Sequence, residues 1–68
     1  MQIRELKSFC VAAKLHSMSR AADQLQIGQP TVSIHIQKLE EELGMVLFDR
    51  FKRPIQLTLA GSALVRLA

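Results

Sequence analysis

The sequence predicts a mainly α-helical domain with a three-helix core, a two-stranded hairpin and one further helix. Apolar residues recur at three- and four-residue steps up to Gly44, where this helical period ends. Leucine, isoleucine, valine and alanine fill the expected core, because only Phe9, Phe48 and Phe51 are aromatic. At 68 residues the chain has room for one domain and none for a deep catalytic cleft.

The first two helices are expected to be short and close together. Helix one is predicted from Ile3 to Leu15, with an apolar stripe formed by Ile3, Leu6, Phe9, Cys10 and Ala13. Helix two is predicted over residues 20–25, and its paired alanines allow another helix to cross closely. Ser19 is the expected N-cap of helix two, because a serine hydroxyl accepts a hydrogen bond from a free backbone N–H of the first turn.

The third helix is predicted over residues 29–43. Pro30 suits its first turn, where the missing N–H would have no helical partner, and Gly44 suits its C-terminal end. A helical wheel places one apolar stripe toward the core, formed by Val32, Ile36, Leu39 and Leu43. The opposite face carries Pro30, Ser33, Ile34, Gln37, Lys38 and Glu41.

A hairpin is predicted after the third helix. Two apolar or β-leaning runs, residues 45–48 and 55–57, flank a basic tip at residues 49–54. The basic residues of this tip are Arg50, Lys52 and Arg53. Thr58 is the expected N-cap of a final helix that starts at Leu59 and reaches the end of the chain.

Composition limits the possible functions. Nine Lys+Arg against six Asp+Glu give a formal charge of +3, which is compatible with binding nucleic acid. The single Cys10 permits neither an internal disulfide nor a thiolate zinc cluster, and it fits a cytoplasmic location. His16 and His35 have no ligand or base at helical spacing, so no metal, cofactor or catalytic residue is predicted. No signal peptide or membrane-spanning run is apparent, so a soluble intracellular protein is expected.

The third helix differs in chemistry between its two ends. Gln29, Thr31 and Ser33 are neutral hydrogen-bonding residues at the N-terminal end, whose dipole attracts phosphate. Three glutamates, residues 40–42, lie in the last turn. Gln can pair bidentately with adenine, and an outward Ile34 fits a thymine methyl group. We therefore predict a winged helix-turn-helix, with helix 29–43 in the major groove of double-stranded DNA and the hairpin on the backbone or minor groove.

Five short motifs are distributed along the chain. They are Ser19-Arg20-Ala21-Ala22, Gln29-Pro30-x-Val32-Ser33, Leu39-Glu40-x-Glu42-Leu43-Gly44, Leu47-Phe48-x-Arg50 and Leu57-Thr58-x-Ala60-Gly61. In order and spacing they resemble the N-terminal domain of LysR-type bacterial transcriptional regulators. The resemblance implies a DNA-binding domain over residues 1–58 and the truncated start of a linker and dimerisation helix over residues 59–68.

The same resemblance implies partners for the whole regulator. Such proteins act as homodimers or tetramers on double-stranded promoter DNA, where they activate or repress transcription. A small-molecule effector would bind only through a domain absent from these 68 residues. We expect weak dimerisation or none from so short a final helix.

The resemblance also implies roles for single residues. Gln29, Pro30 and Ser33 would read bases, and Arg53 would reach phosphate or the minor groove. Ser19 and Thr58 would cap helices and contact phosphate. The full predicted DNA-binding set is Ser19, Gln29, Pro30, Thr31, Ser33, Ile34, Gln37, Arg50, Arg53 and Thr58. Departures from the family pattern occur at Gly28, Ile34, His35 and Pro54, so no operator preference is carried over.

Several of these residues have structural alternatives. Arg50 could form a structural salt bridge instead of contacting DNA, and Glu40 is a candidate to pair with a basic side chain. Gln29 and Ser33 also suit ordinary capping roles. His35 is expected to be packed or half-buried, and Cys10 to be inert filler, because it lies on the apolar stripe of helix one.

Two other classes of function are alternatives to DNA binding. One is a protein-interaction winged helix without DNA binding, which would show a wide apolar patch or acidic residues near the start of the third helix. The other is an enzyme, which would need a nucleophile–base pair or paired carboxylates at a cleft. The sequence has neither pattern.

Overall fold

The computed structural model describes residues 1–52 and 54–67. Its elements are α1 (Ile3–Leu15), α2 (Met18–Leu25), α3 (Gln29–Leu43), β1 (Phe48–Asp49), β2 (Gln56–Leu57) and α4 (Leu59–Leu67). The predicted mainly α-helical fold with a two-stranded hairpin is confirmed, and the bounds of α1 and α3 agree with the prediction.

The core lies where α1, α2 and α3 pack against one another. Its buried apolar residues are Phe9, Ala12, Ala13, Ala21, Ala22, Val32, Ile36, Leu39, Leu47 and Phe48. The paired alanines of α2 are buried as expected, and Leu43 is half-buried at the margin of the α3 stripe. Phe48 brings the hairpin into this core, with its ring centroid 5.4 Å from that of Phe9.

The apolar stripe predicted for α1 is wrong at Ile3. This side chain is 84% exposed, because it lies in the first turn and projects away from the packed surface. The buried side of α1 includes two polar residues, Glu5 and Ser8. Glu5 accepts a hydrogen bond from the Gln2 N–H at 3.1 Å, and the Ser8 hydroxyl lies 2.7 Å from His35 Nδ1. His35 is half-buried, as predicted.

The prediction that Ser19 caps α2 is also wrong. Ser17 is the N-cap: its backbone is extended, and its Oγ accepts the Arg20 N–H at 3.1 Å. Ser19 lies inside the first helical turn and is exposed. The cap is two residues earlier than expected because α2 begins at Met18.

The hairpin is shorter than predicted. Its antiparallel pairs are Phe48 with Leu57 and Asp49 with Gln56. Residues 45–47 and 55 lie outside the strands, because several of their backbone groups have other partners. The Leu47 N–H donates to Glu40 Oε2 at 2.8 Å.

The start of α4 is fixed against the hairpin. Thr58 Oγ1 accepts the Gly61 N–H at 3.1 Å, so the predicted cap is confirmed. The same hydroxyl donates to the Val46 carbonyl at 2.6 Å, and the Thr58 N–H donates to the Leu47 carbonyl at 3.0 Å. The predicted last residue of this helix, Ala68, lies outside the described residues.

Gly61 permits the close contact between α4 and the hairpin. A Cβ placed there would lie 2.2 Å from the Leu47 carbonyl oxygen and 2.9 Å from Leu57 Cδ2. The oxygen belongs to the backbone of a buried residue, so the helix itself would have to move. Only glycine fits this approach.

We predict that Gly61→Ala lowers the free energy of unfolding by about 1–3 kcal/mol, because the added methyl group overpacks a backbone contact. Urea unfolding followed by circular dichroism measures this loss. Gly28→Ser is the control, since a Cβ at Gly28 meets its nearest neighbour, Pro30 Cδ, at an ordinary 3.6 Å. Serine there should change stability by only a few tenths of a kcal/mol. Equal stability of Gly61→Ala and the wild type would refute the close-contact interpretation.

Candidate DNA interface

The N-terminal half of α3 presents an uncharged outer face. Gln29, Pro30, Thr31 and Gln37 are exposed, and Ser33 is half-buried. Ile34 is 50% exposed, although it is a large apolar residue. Apart from the half-buried Ser33, the residues that the sequence places on the outside of this helix therefore lie on the outside.

A groove runs from the starts of α2 and α3 to the return side of the hairpin. Its lining residues are Leu15, His16, Ser17, Met18, Ser19, Arg20, Gln29, Pro54 and Ile55. We call this surface the wing groove. It brings together Ser19 and Gln29, two residues of the predicted binding set, with the hairpin, which we call the wing. The helix ends and the wing therefore face one common space.

A second groove borders α3 on the side of α1. It is lined by Arg4, Lys7, Ser8, Leu25, Ile27, Thr31 and His35. Arg4 and Lys7 are exposed cations of α1, and Thr31 belongs to the first turn of α3. Arg20 lines the wing groove, and Arg4 and Lys7 line the second groove. The start of α3 therefore lies between two grooves that each contain a basic side chain.

The acidic residues lie at the opposite end of α3. Glu41 and Glu42 are exposed there, in the last turn. The Met1 amino group is 2.6 Å from Glu42 Oε2, and this hydrogen bond raises the pKa of the amino group above its ordinary value. Only the C-terminal end of the helix therefore presents carboxylates.

Two residues of the predicted binding set have partners inside the protein. Arg50 Nη2 is 3.1 Å from Glu40 Oε1, which agrees with the salt-bridge alternative. The Thr58 hydroxyl hydrogen is donated to the Val46 carbonyl. A phosphate would have to compete for both donors. Their contact with DNA stays a prediction, and the geometry favours their structural roles.

Arg53, the basic residue of the wing tip assigned to phosphate or the minor groove, lies outside the described residues. Within the described residues, no group of three His, Cys, Asp or Glu side chains is arranged to hold a metal ion. None of the helices in the described segments combines the length and the apolar character that crossing a membrane requires.

Sequence reasoning missed several residues of this surface. Arg4 and Lys7 enter it through the packing of α1 on α3, which no local pattern reports. Ser17 could have been found from the sequence, because serine is a favoured N-cap residue and Ser17 stands directly before the first residue of α2. His16 contacts the wing at Ile55 across 39 positions, which the sequence does not indicate.

Known proteins are similar to this chain in sequence. The model of a family described as bacterial regulatory helix-turn-helix protein, lysR family, matches residues 3–62. The chain is 48% identical over 61 residues to the probable cat1 operon transcriptional activator of Acinetobacter lwoffii, covering 90% of this chain and 20% of that protein. It is 39% identical over 61 residues to the RuBisCO operon transcriptional regulator of Allochromatium vinosum, with the same coverage. The chain spans about a fifth of the length of these curated relatives.

Solved structures share the fold. The crystal structure of the BenM_DBD/catB site 1 DNA complex is similar with a TM-score of 0.95 and 40% identity, covering 98% of this chain and 75% of that chain. The CbnR_DBD–DNA complex is similar with a TM-score of 0.92 and 41% identity, covering 97% and 76%. The predicted winged helix-turn-helix architecture is confirmed by these similarities.

We predict that Glu40→Ala destabilises the protein by about 1–3 kcal/mol, because it leaves the N–H of the buried Leu47 without its acceptor. Arg50→Ala should cost less than about 1 kcal/mol, since it removes only a partly exposed ion pair. Urea unfolding of the two variants measures the difference. Equal losses would mean that the ion pair, rather than the backbone hydrogen bond, attaches the wing to α3.

Proposed function

The chain belongs to the LysR family of bacterial regulatory helix-turn-helix proteins, and we propose that it binds double-stranded promoter DNA sequence-specifically to regulate transcription. The observation that carries the proposal is the outer face of α3. An uncharged, hydrogen-bonding N-terminal half is exposed there, between two grooves that each contain a basic side chain. A helix that presents this face can enter a major groove.

Electrostatics supports the same orientation on DNA. Eight basic residues of the described chain are exposed, against three acidic ones, Asp23, Glu41 and Glu42. The protein surface is thus more basic than the formal charge of +3 suggests. We propose that Arg4, Lys7 and Arg20 contact phosphates on the two sides of the groove that α3 enters. Such contacts position a protein on DNA without reading its sequence.

Base reading is proposed for side chains on the outer face of α3. Gln29 and Gln37 have amide groups that pair with adenine, and Ser33 can serve several bases. Ile34 offers an apolar contact to a thymine methyl group. Ile34 is the one large apolar side chain of α3 that is exposed. The outer face of this helix therefore lacks the wide apolar patch that a protein-binding surface would require.

Other residues of the predicted set complete the interface. Pro30 and Thr31 would pack near the bases at the start of α3, and Ser19 would contact phosphate from the wing groove. Arg53 would reach phosphate or the minor groove from the wing tip.

The proposal extends to the protein of which this domain is a part. Residues 1–58 would form the DNA-binding domain, and α4 would begin the linker helix. Leu59 and Leu67 of α4 are 92% and 85% exposed, which suits a helix that pairs with a second copy in a homodimer or tetramer. An effector would act through another domain. Binding to a bacterial promoter implies a cytoplasmic location and a regulatory rather than an enzymatic role.

We predict that the chain binds duplex DNA with an affinity that falls steeply with salt, by a slope of about 0.9 in log–log form per phosphate contacted. A duplex selected by the chain from a random-sequence library is the probe, and fluorescence anisotropy is the measurement. Gln29→Ala should cost roughly 1–3 kcal/mol on this duplex and relax the preference at one position.

Two variants serve as controls for Gln29→Ala. Gln24→Ala makes the same change at an exposed position of α2 that lines neither groove, so it should bind normally. Arg53→Ala should weaken selected and random duplexes alike. Binding that is indifferent to salt would contradict the proposed function, and equal losses of Gln29→Ala on random DNA would make Gln29 a backbone contact.

A further inference from the structure

His16 connects the end of α1 to the wing. Its Nδ1 lies 3.3 Å from the carbonyl oxygen of Ile55, which is 39 residues away in the sequence. His16 also lines the wing groove, together with the N-cap Ser17 and with Gln29. The contact therefore lies between the helix ends proposed to approach DNA and the hairpin proposed to flank them.

The backbone of His16 is unusual. It has φ 53° and ψ 36°, and its N–H donates to the Ala12 carbonyl as the C-cap of α1. This left-handed conformation is unfavourable for a residue with a Cβ and costs glycine nothing. Gln26, the C-cap of α2, has the same conformation with φ 58°. Glycine could therefore form either cap, but only a side chain can reach the wing.

The wing has little support of its own. Each strand is two residues long, and an isolated two-stranded hairpin is marginally stable in water. On the outgoing side, the wing is attached to α3 through Glu40, which accepts the Leu47 N–H and pairs with Arg50. On the return side, Ile55 and Leu57 pack against the core, and the hydrogen bond between His16 and Ile55 is the polar link to the end of α1.

We propose that His16 is a wing-positioning residue, which donates its Nδ1–H to the Ile55 carbonyl and so sets the distance between the wing and the starts of α2 and α3. This inference rests on the proposed function, because the distance matters only if both parts bind one duplex. With the hydrogen bond in place, the wing meets the DNA flank while α3 occupies the major groove. Without it, the wing moves relative to α3 and its contacts weaken.

The test compares His16→Gly with Gln26→Gly. Both variants keep a backbone that suits the φ of 53° and 58° found at these two positions, but only the first removes a hydrogen bond to the wing. For the selected duplex we expect the dissociation constant of His16→Gly to rise about 3- to 10-fold, the range for losing one hydrogen bond. The dissociation constant of Gln26→Gly should equal that of the wild type. The thermal midpoint of His16→Gly should stay within about 5 °C of the wild type, because relief of the left-handed strain offsets the lost bond.

A wing variant separates positioning from direct contact with DNA. Lys52→Ala combined with Arg53→Ala removes the charges of the wing tip, and it should weaken wild-type binding more than it weakens binding by His16→Gly. The reason is that the loosened wing has already lost part of its contacts. A smaller penalty in the His16→Gly background supports the proposal.

Three results would overturn it. They are wild-type affinity of His16→Gly, an equal loss in Gln26→Gly, and identical penalties of the wing variant in both backgrounds. The last result would make His16 a direct DNA contact. A wild-type chain that binds no duplex at low salt would instead refute the proposed function, and this inference with it. Failure of the inference alone leaves wild-type binding intact, so the two failures are distinguishable.

Discussion

Helix α3 packs against the core along one side only, and the function proposed for this protein depends on the opposite side being left exposed. Val32, Ile36 and Leu39 are fully buried between the other helices, so the rotation of α3 about its own axis is fixed by the core. Burying large aliphatic side chains contributes about 1.5–3 kcal/mol each, which makes any other rotation costly. Gln29 and Ile34 consequently remain on the outside, at the end of the helix where the backbone dipole favours phosphate.

The C-terminal end of α3 attaches the wing to the helix. Glu40 accepts the Leu47 N–H and pairs with Arg50, so a carboxylate that would repel DNA attaches the wing to the helix. The Leu47 carbonyl in turn accepts the Thr58 N–H and lies against Gly61. Helix, wing and α4 are therefore joined through one short segment, which places the wing beside the DNA-facing end of the molecule.

Local signals made the helices predictable from sequence. The apolar period, Pro30 and Gly44 define α3, and its outer face follows from the same wheel. Prediction failed where the deciding partner is distant: β1 begins only at Phe48, because the Val46 carbonyl before it accepts a hydrogen bond from the Thr58 hydroxyl, 12 residues away. It also failed where two local choices compete, as for Ser17 and Ser19. Arg4 and Lys7 join the candidate interface through the packing of α1 on α3, which composition and periodicity do not contain.

Changes in amide chemical shift during titration with the selected duplex would reveal which end of α3 faces the DNA. The largest changes are expected at residues 17–20, 29 and 31–34, where the helix ends and the uncharged face meet the groove; Pro30 has no amide hydrogen. Residues 40–43 should change little, because the carboxylates there face away from the phosphates. Larger changes at residues 40–43 than at residues 31–34 would show that α3 does not approach DNA by its N-terminal half.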